Sequence, residues 1–187
     1  MDNLKHFFSS YHIPSEEITT ILSFFKPKNV EKGDYLLKEG NICKHLTFIH
    51  KGILEYFTLM DGNERSTYFA TEGNFVVSLL SYFTETPSRE NIRAIQDCEL
   101  FLIEKKDVNT LLEQFISFKN FYISVLEWQI GCIEKTRLDL LTLNAEQRYE
   151  KLIIEEPHLL QQIPLQNLSS LLGVTPRHLS RIRSKIK

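Results

Sequence analysis

Apolar and polar positions along the first hundred residues alternate in short runs cut by glycine. The cuts fall at Gly33-Asp34, Gly40-Asn41, Gly52, Gly62-Asn63 and Gly73-Asn74, so successive glycines are 7, 12, 10 and 11 residues apart. Between and after them lie "YLLKE", "LTFIH", "ILEYFTL", "STYFA", "NIRAI" and "ELFLI". Short strands with turns at this spacing predict an antiparallel sandwich or barrel. Before them, Ser15 is placed to cap a helix with Ile18, Ile21, Leu22 and Phe25 on one face.

The period changes near Asp107. From there to Leu141 no proline occurs and apolar residues recur at helical spacing, with Asp107 and Ser117 as expected N-caps of a short and then a long helix. On the long helix, Phe118, Tyr122, Val125 and Cys132 share a stripe with Gln129, and Leu126, Ile130 and Ile133 form the neighbouring one. A face this wide needs cover on two sides, predicted to be the β domain and a second copy of the helix. Gly131 costs roughly 1 kcal/mol against alanine at mid-helix, and a close helix crossing would account for it, as would a tolerated glycine in a buried helix.

The last third reads as helices throughout. "NAEQRYEKLIIEEP" opens on Asn144 with Gln147 three residues on, the capping-box spacing. "PLQNLSSLLG" follows, with Leu165, Leu168, Leu171 and Leu172 inward and Gly173 as the stop. Thr175 then caps another helix with Pro176 in its first position, where a missing N–H does no harm. Leu179, Ile182 and Ile186 supply its apolar side, while Arg177, His178, Arg181 and Lys185 lie on the other. A helix, a tight turn and a second helix with a basic face is the helix-turn-helix layout, whose second helix enters the DNA major groove. Arg177 and Arg181, one turn apart, are expected to reach bases or backbone in one groove; His178 flanks them. Thr175 and Ser180 suit phosphate oxygens, and Lys185 lies too far along for bases. The competing expectation is an amphipathic helix with a solvated basic face.

Charge sharpens this picture. The chain of 187 residues has a net charge of −2, yet 163–187 carries five Arg or Lys and no acid, leaving −7 on the rest. Cys43, Cys98 and Cys132 are odd in number and scattered, which fits a reducing cytoplasm better than a disulfide framework. The start lacks a signal-peptide pattern and no apolar run reaches membrane length, so no membrane association is expected. Neither Cys43 and His45 nor His50 makes a metal site, so no cofactor is expected. Ser9-Ser10 and Asp139 have no triad spacing, and Glu16-Glu17 and Glu155-Glu156 read as helix charges, so an enzyme is not expected.

"VEKGDYLLKEGN", "LTFIHKGILEYF", "DGNE", "TEGNFV", "AEQRYEKLIIEEPHLLQQIP" and "LSSLLGVTPRHLSRIR" together resemble the Crp/Fnr family of transcription regulators, in particular its short members common among Bacteroidetes. The resemblance spans about Ile18 to Lys187. It implies an α+β chain: a cyclic-nucleotide-binding-like antiparallel β-roll (a double-stranded β-helix) with flanking helices over 1–116, a dimerisation helix over 117–141 and a helix-turn-helix domain over 142–187. It also implies a homodimer on palindromic promoter DNA, an unidentified small-molecule effector, and RNA polymerase as a potential further partner. In cyclic-AMP-binding members a Gly-Glu pair holds the ribose and a following Arg-Ser or Arg-Thr the cyclic phosphate. Aligned by resemblance, the effector pocket is expected at Gly73, Asn74, Phe75, Ser88 and Arg89, with Asn74 in the Glu place and Ser88 in the Arg place. An anion there lacks its charge partner, so cyclic AMP is not expected to bind in the usual way. On the recognition helix, Pro176, Arg177 and Arg181 stand where cyclic-AMP-responsive members use Arg, Glu and Arg, so a different operator is expected. The sequence also ends where the family's hairpin wing would follow. The dimer interface is expected at Tyr122, Val125, Gln129, Gly131 and Cys132. The alternative is a ligand-binding or protein-interaction module that has lost DNA binding.

Overall fold

Six of the glycine-punctuated runs fold as strands, joined by two that the pattern does not announce. The structure, a computed structural model, describes residues 1–186. The strands are β1 (Lys26–Val30), β2 (Tyr35–Leu37), β3 (His45–Lys51), β4 (Ile53–Met60), β5 (Asn63–Thr71), β6 (Phe75–Val76), β7 (Asn91–Ala94) and β8 (Cys98–Glu104). They form two four-stranded sheets, ordered β1-β8-β3-β6 and β2-β7-β4-β5, and β8 runs antiparallel to both β1 and β3. The helices are α1 (Asp2–Ser10), α2 (Ser15–Ser23), α3 (Leu79–Thr84), α4 (Lys105–Gln114), α5 (Ile116–Thr142), α6 (Ala145–Glu155), α7 (Pro157–Gln162), α8 (Leu165–Leu171) and α9 (Pro176–Lys185). The architecture is the expected α+β one.

The chain divides into two units, residues 1–56 with 69–127, and residues 57–68 with 128–187. In the first, strand alternation sorts side chains onto two cores. Ile49, Leu100 and Leu102 turn inward between the sheets to meet Val30, Leu54, Ala70, Val76 and Ile92. Their neighbours Phe48, Phe101 and Ile103 turn outward to a second cluster with Leu4, Phe8, Ile18, Ile21, Val108, Leu111, Phe118 and Phe121 from α1, α2, α4 and the start of α5. β1 escapes the pattern because it is an edge strand, "KPKNV", with only Val30 buried; an edge tolerates Pro27.

Gly52 makes the tight connection from β3 to β4. Its φ of +108° is closed to other residues, and a Cβ there would lie 2.5 Å from Cys98 Sγ and 2.8 Å from the Asp97 carbonyl. Three expected caps differ from the observed ones; Ser117 is one of them, lying inside α5, which begins at Ile116. Ser15 is the first helical residue after the N-cap Pro14, and α4 starts at Lys105 with Glu104 as its N-cap, placing Asp107 inside the first turn. In the second unit the capping box is formed: Gln147 N–H donates to Asn144 Oδ1 and Asn144 N–H to Gln147 Oε1, each at 3.0 Å. Tyr149, Leu159, Ile163, Leu168, Leu172, Leu179 and Ile182 are buried there.

Candidate nucleic-acid interface and sensor pocket

The basic face of α9 is held up by an apolar floor. Leu179 and Ile182 of α9 and Leu168 of α8 are at most 2% exposed. Gly173 closes α8 at φ +67°, a conformation a side chain resists, and the turn delivers Thr175 to the α9 N-cap. Thr175 Oγ1 accepts the His178 N–H at 3.2 Å, which leaves the Thr175 hydroxyl hydrogen for another acceptor. Arg148 on α6 donates to the Leu172 carbonyl at 2.9 Å, tying the end of α8 back to α6.

The polar residues of α9 separate into held and open ones. Arg183 Nε donates to Tyr149 Oη at 3.1 Å, and Lys185 Nζ lies 3.4 Å from Glu146 Oε2. Ser180 Oγ donates to the Pro176 carbonyl at 3.0 Å, so its hydroxyl is spent on its own helix as a donor. Arg177, His178 and Arg181 are exposed, and among the described residues neither guanidinium has an ion-pair or hydrogen-bond partner. Four of the six expected DNA contacts thus stand together at the start of the helix, Thr175, Arg177, His178 and Arg181, while Ser180 and Lys185 have competing partners.

On α5 the structure divides the expected dimer stripe. Tyr122 and Val125 pack partly buried against the helix-side core of the first unit, leaving Gln129 and Cys132 half-exposed. Ile123, Leu126, Ile130, Ile133 and Leu140 follow a 3-4 spacing with Arg137 in the remaining place, which is the heptad pattern of a helix-pairing seam. Ile130 is 67% exposed and Ile133 48%. The exposed apolar residues of α5 thus lie on the stripe next to the expected one. Gly131 is exposed with nothing within 4 Å of an added Cβ, about 100° round the helix from Ile130.

The expected effector residues are not gathered at one point. Gly73 and Asn74 make the turn from β5 into β6, where the Asn74 side-chain amide donates back to Thr71 Oγ1 and the Thr71 carbonyl, both at 3.2 Å. Phe75 belongs to the helix-side aromatic cluster, 5.2 Å from the Phe48 ring and 5.4 Å from Phe7. Arg89 is exposed. Ser88 is buried, and its partners are two residues that the sequence reading missed: Ser88 Oγ is 3.1 Å from Ser78 Oγ, and Ser78 Oγ donates to Glu90 Oε1 at 2.7 Å. Ser88 Oγ also donates to the Glu90 carbonyl at 2.8 Å. Ser78 sits at the α3 N-cap without capping it, its hydroxyl turned instead to Glu90 and Ser88. Two serines inside the apolar run "FVVSLLSYF", Ser78 and Ser81, were the available signal. Nearby, Tyr56 Oη donates to the Val77 carbonyl at 3.3 Å and accepts the Val77 N–H at 3.0 Å. The cluster thus sets a carboxylate, Glu90, beside the two buried serines.

Residues 27–115 match the family model of the cyclic nucleotide-binding domain. No curated protein sequence matches the chain. Among solved structures, the catabolite activator protein of Thermus thermophilus is 20% identical over 93% of this chain and 84% of its own, with a TM-score of 0.60. FixK2 of Bradyrhizobium japonicum is 14% identical over 87% of this chain and 84% of its own, with a TM-score of 0.73. A protein of Eubacterium rectale assigned to the Crp/Fnr family of transcriptional regulators is 15% identical over 93% and 83%, with a TM-score of 0.69. Residues 27–115 are therefore a cyclic nucleotide-binding-type domain, and the chain as a whole has the fold of the Crp/Fnr regulators.

Proposed function

We propose that the chain is a homodimeric, DNA-binding transcription regulator of the Crp/Fnr type, acting in the cytoplasm, whose β-roll does not take cyclic AMP in the usual way. The observation that carries this reading is the pair of partnerless guanidiniums, Arg177 and Arg181, one turn apart at the start of a helix with a buried apolar floor. A solvated surface helix needs no such arrangement, and a base-reading helix does. The exposed heptad seam of α5 supports pairing of two copies, and a two-fold pair would present two α9 helices about 34 Å apart to successive major grooves. The regulators named above share the fold and support the same reading. The Ser78–Ser88–Glu90 cluster supports the loss of cyclic-phosphate affinity.

Selection from a random pool of duplexes tests the proposal. The chain should enrich a palindromic site, and Arg177→Ala/Arg181→Ala should enrich none. Recovery of an unchanged random pool by the native chain would overturn it. Calorimetry with cyclic AMP should show no heat of binding; submillimolar affinity would contradict the reading of the cluster.

A further inference from the structure

One end of the β-roll is open. A cavity of about 370 Å³ reaches between the two sheets there, lined at its inner end by Leu36, Leu37, Val76, Ile92 and Leu102. At its mouth stand Lys28 of β1, Lys38 just after β2 and Lys44 just before β3, with no Asp or Glu in the lining. Ligand pockets of this size, apolar inside with a few placed polar groups, suit small molecules.

Two further observations give the cavity a chemical character. First, among the described residues the Lys28 and Lys44 ammoniums have no ion-pair or hydrogen-bond partner and Lys38 has only the Tyr35 ring, 4.9 Å from its Nζ, although nearby lysines meet carboxylates. Lys26 and Lys106 meet Glu104, Lys51 meets Glu99 and Lys105 meets Glu85. Second, Thr47 lines the cavity and is 1% exposed, which sets a hydroxyl among the aliphatic side chains of the interior as one of the few placed polar groups a ligand would meet.

We propose that this open end of the roll binds a small amphipathic carboxylate, with its apolar body between the sheets and its head at the Lys28, Lys38 and Lys44 rim. The proposal deepens the sensor reading above by naming the effector class, at a place that adjoins the Ser78–Ser88–Glu90 cluster, since the Ser88 N–H donates to the Asn41 carbonyl of the lining at 2.8 Å. Lysine ammoniums are point charges suited to a carboxylate head that stays partly hydrated. The inner lining is aliphatic, and of the two rings in the lining Tyr35 is already covered by Lys38 while His45 stands beside the Lys44 rim. A medium-chain fatty acid and an aryl carboxylate share the required chemistry, and chain length and ring shape separate them.

The test is calorimetry on the full chain without DNA, using straight-chain carboxylates from butanoate to decanoate, benzoate, octanol, inorganic phosphate and cyclic AMP. Affinity should rise about three- to fourfold per methylene until the cavity is filled, then level off. Benzoate binding without that gradient would mark an aryl acid as the better occupant within the same proposal. Octanol should bind at least tenfold more weakly than octanoate. Lys28→Gln/Lys44→Gln replaces two exposed side chains and should keep the fold; it should lower octanoate affinity tenfold or more and leave octanol unchanged. Thr47→Val should weaken octanoate severalfold. Equal binding of octanoate and octanol, octanoate affinity unchanged in the double variant, or phosphate binding as tightly as octanoate would each overturn the proposal. Because DNA is absent, these outcomes are independent of the duplex selection: loss of carboxylate binding with operator selection intact would sink only the effector assignment.

Discussion

In the roll Glu55 and the Ser78–Ser88–Glu90 cluster are closed on partners, whereas the first turns of α9 leave their cations open. Glu55 is 1% exposed and meets Arg93 on the neighbouring strand at 2.9 Å. Ser78, Ser88 and Glu90 likewise satisfy each other. On α9 the same contrast occurs within one helix. Arg183 and Lys185 are held by Tyr149 and Glu146, while Arg177 and Arg181 are not. Burial explains the difference: an unpaired charge out of water is costly, so the fold must supply a partner, whereas an exposed guanidinium keeps its hydration until a ligand replaces it. An open cation on a rigid support is thus a better pointer to a ligand than a cation as such.

The sharpest way to break the contrast is to unpair a closed charge. Arg93→Ala removes the guanidinium 2.9 Å from buried Glu55 and should cost roughly 3–5 kcal/mol in urea unfolding. A change under 1 kcal/mol would show that Glu55 is already relieved by water. Next, Ile130→Glu/Ile133→Glu removes two exposed apolar anchors, each worth about 1.5–3 kcal/mol when covered. Sedimentation should shift from dimer to monomer with the urea midpoint of the monomer unaffected; an unchanged dimer would move the interface off this seam. Arg181→Ala should cost about 1–3 kcal/mol on the selected operator and relax its preference, whereas Lys185→Ala, already engaged by Glu146, should weaken operator and scrambled duplex alike and by less. The smallest effect concerns His45. Burial, assisted by Lys28, Lys26 and Lys44 and opposed by Glu104, lowers its pKa. The folded chain therefore binds this proton less readily than the unfolded one. Stability from this group is full above about pH 6.5 and falls as the pH drops below it. His45→Gln should flatten the stability profile in that window, and an unaltered slope would contradict the assignment.

The sequence made the strands legible wherever glycine turns framed an alternating run, as at β3, β4 and β8. It hid β1, where lysines and Pro27 mask an edge strand with one buried residue, and it hid α1, which buries only Leu4 and Phe8. Both stripes of α5 were visible, but which stripe faces the roll depends on the packing of Phe118 and Phe121, and periodicity carries no such information. The helix-turn-helix was readable because each feature is local: a cap, a proline, a glycine stop and a polar face. The sensor cluster was not, since Gly73-Asn74 reads equally as a turn or as a ligand contact, and the link from Ser78 to Ser88 and Glu90 crosses a helix and a loop.

The most direct measurement of the central claim is affinity for the selected operator and for a scrambled duplex across a salt series, with the native chain and Arg177→Ala/Arg181→Ala. The account predicts that native affinity falls linearly with log salt on both duplexes, with the operator bound at least a thousandfold more tightly. The double variant should lose most of that margin and keep weak, salt-dependent binding to both. Equal native affinity for the two duplexes, or no binding to either at low salt, would contradict it and leave α9 a solvated basic surface.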